Sequence, residues 1–186
     1  MSRKAAALLV FLYAAAAAMV LAPQFRFYRA KIQLSRCEQA LLLTTRLDAD
    51  QQRRLLPAVR EALRSVEERL PFDVRPSYLL GTSALLLGET GEAIEELRRS
   101  LALEERPETD LNLSRAHADA GDADDAAQDA LRAIWLSPAL HRELPKSEGP
   151  LVVRRILELR RELRSGSAAA IPRLAPSDAA AGEHDR

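Results

Sequence analysis

The chain is poor in the residues from which most catalytic and metal centres are built. It has one cysteine, Cys37, and three histidines, His117, His141 and His184, far apart in sequence. That excludes an internal disulfide framework and a cysteine-based zinc site, and it leaves no metal-ligand spacing among the histidines. Eight aromatics and a formal net charge of zero complete the shortages. Without a surplus of cations to neutralise phosphates, a dedicated nucleic-acid binder is not expected. No G-x-x-x-x-G-K-[ST], nucleophile elbow, H-E-x-x-H or dinucleotide fingerprint occurs. The expectation is a protein that is not an enzyme, with no cofactor, no metal and no small-molecule substrate. A length of 186 residues fits one modest domain with appendages.

The zero is a cancellation. Up to Arg36 the charges are Arg3, Lys4, Arg26, Arg29, Lys31 and Arg36, which gives +6 with no acid; the rest of the chain has 21 bases and 27 acids, which gives −6. Arginine outnumbers lysine 24 to 3 and alanine is abundant, a composition associated with GC-rich bacterial genomes. Ala5 to Ala22 is an uncharged run of 18 residues, about 27 Å as a helix and close to the hydrocarbon thickness of a bilayer. Phe25, Phe27 and Tyr28 then interleave with Arg26 and Arg29, the mixture expected at headgroup depth. Residues 1–23 therefore read as a single-pass anchor in the inner (cytoplasmic) membrane, with the bulk of the chain periplasmic. A cleaved signal peptide, with Ala16-Ala17-Ala18 as its cleavage site, and a buried core helix are the alternatives. Cys37 reads as a small packing residue.

Beyond the anchor, apolar residues recur at helical spacing. Residues 24–73 read as a juxtamembrane helix, bent at Pro23, and a helical hairpin: Asp48 or Asp50 caps its second arm, and Val59, Leu63, Val66 and Leu70 form the stripe. An internal repeat follows. Advancing by 33 residues carries Leu80 onto Leu113, Gly81 onto Ser114, Gly88 onto Gly121, Ala93 onto Ala126 and Leu103 onto Leu136. Small residues at Ala93, Ser100, Ala126 and Ala133 let crossing helices approach closely.

These residues resemble the tetratricopeptide repeat: Leu80-Gly81, Gly88, Ala93 and Leu97 in one unit, then Leu113-Ser114, Gly121, Ala126, Ala130, Ala133 and Pro138 in the next. Departures are Ser77 and Asp110 at the early Trp position, and Ala84 and His117 at the first-helix Tyr position. The fold class expected is all-α: two repeats over residues 74–140, a capping helix over 141–164 with Leu151, Val152, Ile156, Leu157, Leu159 and Leu163 inward, and a disordered tail over 165–186. Trp135 is expected beneath the cap. The resemblance implies a peptide groove lined by Arg75, Tyr78, Leu79 and Thr82 from one unit and Leu111, Asn112, Arg115 and Asp119 from the next, with a protein or peptide as partner. The acids Asp119, Asp122, Asp124, Asp125 and Asp129 fit no calcium loop and instead suit a helix start. The function expected is a membrane-anchored scaffold in a bacterial envelope complex; a secreted periplasmic repeat protein, or a regulatory subunit of a membrane glycosyltransferase or polysaccharide-assembly system, is the alternative.

Overall fold

The computed structural model describes residues 3–144 and 149–165, and their side chains except those of 3–12, 14–18, 149–151 and 163. The helices are α1 (Arg3–Thr44), α2 (Ala49–Glu67), α3 (Val74–Leu87), α4 (Thr90–Leu103), α5 (Pro107–Ala120), α6 (Ala123–Leu136), a short 3-10 helix (Pro138–Glu143) and α7 (Gly149–Ser165). No strand occurs among the described residues, and the all-α class stands.

α1 runs unbroken for 42 residues with Pro23 inside it, about 63 Å of helix. Its surroundings change sharply along its length. Met19, Val20, Leu21, Phe25, Phe27 and Tyr28 are exposed, whereas Ala30, Leu34, Cys37 and Leu41, spaced by four and three, are buried. They pack on Leu56, Leu63, Val66 and Leu70 of the α2 arm and on Leu79 and Leu80 of α3. Burial raises the Cys37 thiol above its ordinary pKa, with nearby Glu38 adding to the effect, so the residue is a packing element. Among the described residues no helix is long and apolar enough to cross a membrane. The anchor expectation concerns Ala5 to Ala22, most of whose side chains lie outside the described residues.

Asp48 caps α2, its carboxylate accepting from the Gln51 N–H at 2.9 Å. Pro57 lies inside α2 at an exposed position, where solvent can satisfy the carbonyl that its missing N–H leaves unpaired. The next two hairpins repeat one design. Each has two 14-residue helices joined at a left-handed glycine, Gly88 (φ 74°) and Gly121 (φ 89°). At each turn two N–H groups close onto the helix: Gly88 and Glu89 donate to Leu85 and Ala84, and Gly121 and Asp122 to Ala118 and His117. Helices cross closely within each pair. A Cβ on Gly81 would lie 2.6 Å from Leu97 Cγ, and at the equivalent position Ser114 Oγ donates to the Ala126 carbonyl at 2.8 Å.

Ala84, Ala93, Leu97, Leu113 and Ala116 join the two units in one cluster. α7 closes the stack with Val152, Ile156 and Leu159 buried. Val152 and Ile156 share a cluster with Leu111, Ala130, Ala133 and Ile134; Trp135 packs against it, and the Arg160 guanidinium lies 5.8 Å from the indole centroid. Leu157 was expected on this apolar face but is exposed, because the buried stripe follows i, i+4, i+7 from Val152 and Leu157 falls a step of about 100° off it. α1 touches α3, and α3 touches α5. The first helices thus approach one another directly, which makes theirs the inner side of the stack. The expected tail, from 166 onward, lies outside the described residues.

Candidate functional site

The groove residues named from sequence separate into three groups. Arg75 belongs to an ion cluster between α1 and α3. Asp73 precedes α3 and accepts from the Arg75 N–H at 3.1 Å, from the Arg75 guanidinium at 2.9 and 2.8 Å and from Lys31 Nζ at 2.6 Å. Arg75 Nη1 also reaches Glu38 Oε1 at 3.3 Å. Arg75 foremost, with Lys31, holds the Asp73 carboxyl well below the usual carboxylate range. One carboxylate therefore caps α3 and ties it to α1, which makes Arg75 a fixed part of the scaffold.

Leu79 and Leu111 are buried, Leu79 with α1 and α2 and Leu111 under α7. They support the inner surface from beneath. The third group forms a continuous line. The Thr82 hydroxyl donates to the Tyr78 carbonyl at 2.8 Å within α3. From α5, Asn112 Nδ2 donates to Thr82 Oγ1 at 3.1 Å and to Tyr78 Oη at 3.4 Å. Arg115 Nη1 donates to Asn112 Oδ1 at 3.1 Å, and Arg115 Nη2 lies 3.5 Å from Glu143 Oε2 in the segment after α6. Desolvation of the half-buried ring raises the Tyr78 hydroxyl pKa, and its oxygen stays a neutral acceptor for Asn112 Nδ2. Asn112 is thereby fixed in rotamer and amide orientation, and the exposed Arg115 retains donors for a carboxylate or a backbone carbonyl. Asp119, one turn further on, is exposed and outside this line.

Sequence reasoning passed over a second polar group, beneath α5. Asp110 has no exposed surface, and neither carboxylate oxygen has a hydrogen-bond partner. The nearest cation is Arg132, whose Nε lies 3.7 Å from Asp110 Oδ1 and 2.6 Å from Glu105 Oε1. Burial pushes the Asp110 carboxyl up to about 7 against the pull of Arg132. The buried His117 places Nδ1 2.8 Å from Asp129 Oδ2, and Arg98 Nη2 lies 3.4 Å from His117 Nε2. The repeat offset carried the one available signal: Asp110 occupies the place of Ser77, whose hydroxyl is buried and donates to Glu67 Oε1 at 2.8 Å. Among the described residues no group of histidine, cysteine and acidic side chains is arranged to hold a metal. Asp122 stands before α6, and Asp124 and Asp125 lie in its first turn, where carboxylates meet the positive end of the helix dipole.

Neither family models nor curated proteins nor solved structures provide a match for this chain.

Proposed function

We propose that the chain is a non-enzymatic scaffold of the tetratricopeptide type, anchored in the inner membrane of a bacterial envelope by its N-terminal helix, with the repeat stack periplasmic and engaging protein partners. The observation that carries this reading is the line Tyr78–Thr82–Asn112–Arg115, which crosses from α3 to α5 on the side where the first helices approach one another. Its side chains are held by one another, so a peptide meeting them finds donors already oriented, which lowers the ordering cost of binding. The anchor confines the module to two dimensions and raises its effective concentration toward other membrane components, so weak groove contacts suffice. The run Ala5 to Ala22 and the aromatic and basic residues behind it support the anchoring.

The test is photo-crosslinking in native membranes, with a photoreactive residue at the exposed Asp119, one turn along α5 from Arg115, or at Glu61 on the exposed face of α2. Partner adducts are expected from position 119 and not from 61, and Arg115→Glu should abolish partner recovery on affinity purification. Equal adducts from both positions, or undiminished recovery with Arg115→Glu, would overturn the groove reading.

A further inference from the structure

A cleft of about 960 Å³ opens between α1 and the end of α2, lined by Arg26, Arg29, Ile32, Gln33, Arg36 and Arg69. Among the described residues that line it, four are arginines and none is an acid. Elsewhere in the stack several arginines meet carboxylates: Arg60 binds Glu89 and Glu92, Arg99 binds Glu95 and Glu96, and Arg132 binds Glu105. Arg26, Arg29 and Arg36 form no ion pair among the described residues, and Arg69 bonds only to neutral groups, Ser65 Oγ at 2.9 Å and Gln33 Oε1 at 3.5 Å. Guanidinium groups gathered around one open cleft repel one another, and an anion entering it relieves that repulsion while accepting several charge-assisted hydrogen bonds.

The position of the cleft identifies the anion. A smaller adjoining cleft of about 470 Å³ is lined by Met19, Ala22, Pro23, Arg26, Phe27 and Arg69. Arg69, from the far end of the hairpin, therefore stands beside the last turn of the apolar run. The loop carrying it is pinned at that level, since Lys31 of α1 holds Asp73 at 2.6 Å. Between Arg69 and Asp73, Phe72 is 91% exposed, an apolar ring turned outward at the same end as the exposed Phe25, Phe27 and Tyr28. Arg29 and Lys31 stack over the Phe25 and Phe27 rings at 5.3 and 5.4 Å, amphipathic pairs suited to an interface between water and lipid.

We infer that this arginine cleft is a binding site for the phosphate headgroup of an anionic phospholipid, which seats the repeat stack directly against the membrane surface. The inference rests on the anchoring reading for its placement. Phosphate is read by the guanidinium forks of Arg36 and Arg69, while Phe72 and Phe27 flank the acyl side.

The test uses the full chain reconstituted into phosphatidylcholine vesicles with a third of the lipid replaced by phosphatidylglycerol. Spin-labelled phosphatidylglycerol and spin-labelled phosphatidylcholine are compared for association with the protein. A preference for the anionic lipid is expected, and Arg36→Gln with Arg69→Gln should reduce it by up to about fivefold per arginine, while Arg36→Lys with Arg69→Lys, which keeps the charge and loses the forks, should reduce it less. Arg46→Gln with Arg54→Gln, the same charge change at the opposite end of the hairpin, should leave it intact. An unaltered preference in the cleft variant, or an equal loss in the control, would overturn the site. If millimolar inorganic phosphate removes the preference from the wild type, the ligand is free phosphate and the membrane source is wrong. Extraction in alkaline carbonate separates this proposal from the anchoring one. A chain retained in the vesicles but indifferent to phosphatidylglycerol refutes the cleft alone. A chain that is extracted refutes the anchor, and its co-sedimentation with vesicles of phosphatidylcholine alone and with the phosphatidylglycerol mixture then decides the cleft.

Discussion

Replacing Asp110 by asparagine should stabilise this protein at neutral and alkaline pH and leave it nearly unchanged at pH 4. Asp110 is completely buried, its oxygens accept no hydrogen bond, and Arg132 is 3.7 Å away. Desolvation outweighs that attraction and raises the carboxyl from 3.8 to about 7. Such a displacement corresponds to a preference of about 4 kcal/mol for the neutral acid in the folded chain. The sign follows from proton uptake. Between pH 4 and 7 the folded protein holds a proton that the unfolded chain has released, so the stabilisation is complete below about pH 4 and is lost as pH rises through about 7. Its steepest slope is about 1.4 kcal/mol per pH unit. Against a total of about 5–15 kcal/mol for an ordinary domain, that is a large share.

Asparagine nearly matches the shape and removes the titration. Urea unfolding followed by Trp135 emission is a suitable assay, because Trp135 is the sole tryptophan and packs on the cluster that contains Leu111, next to Asp110. Glu96 is also raised by burial, but it is common to both proteins and cancels in the difference. The gap between Asp110→Asn and wild type should open from about zero at pH 4 to several kcal/mol at pH 8. Parallel stability curves across that range, or a wild type more stable than the variant at pH 8, would show that Asp110 is ionised and satisfied in the native state.

Gly81→Ala should destabilise the first unit by about 1–3 kcal/mol, because the new methyl lies 2.6 Å from Leu97 Cγ and 3.1 Å from the Leu97 backbone nitrogen; urea midpoints measure it, and an unchanged midpoint would mean that α3 and α4 can part without cost. Asp73→Ala removes the cap of α3 together with both cation contacts and should cost about 2–4 kcal/mol, seen as faster amide exchange at the start of α3. The Asp73 carboxyl is depressed, so in the wild type its contribution is present above about pH 4 and falls away on further acidification.

The repeated hairpins were legible because their marks are local. Gly88 and Gly121 can take positive φ without strain, and small residues at Ala93 and Ala126 let helices cross. The inner surface was legible only in part, since helical spacing gives direction around the axis but not depth. Leu79 and Leu111 share a side with Tyr78 and Asn112, yet are covered by α1 and α7, elements distant in sequence. The ion pairs of Arg75 are hidden from sequence for a related reason: a cation near a helix start looks available until Lys31 and Glu38 of α1 are seen beside Asp73. Asp110 is marked only by the repeat offset onto the buried Ser77, because a carboxylate in the first turn of a helix is ordinarily read as a favourable partner of the dipole. Its burial depends on how α5 lies against Arg132 of α6.

The unequal distribution of charge acquires a structural meaning through α1. The cations before residue 37 and the acids after it are joined by one unbroken helix, and from Ala30 onward that helix is also part of the core. A flexible linker would let a repeat module sample many orientations around its anchor, whereas a shared helix transmits the orientation of one end to the other. On the proposed anchoring, the line Tyr78–Thr82–Asn112–Arg115 therefore has a fixed direction relative to the membrane plane, set by α1 and by the contact of Lys31 with Asp73. Inserting two Gly-Ser pairs after Tyr28 would uncouple them. Partner crosslinking from position 119 should then fall even though the line Tyr78–Thr82–Asn112–Arg115 is retained, while crosslinking that survives the insertion would mean that tethering alone, and not orientation, is what the membrane segment supplies.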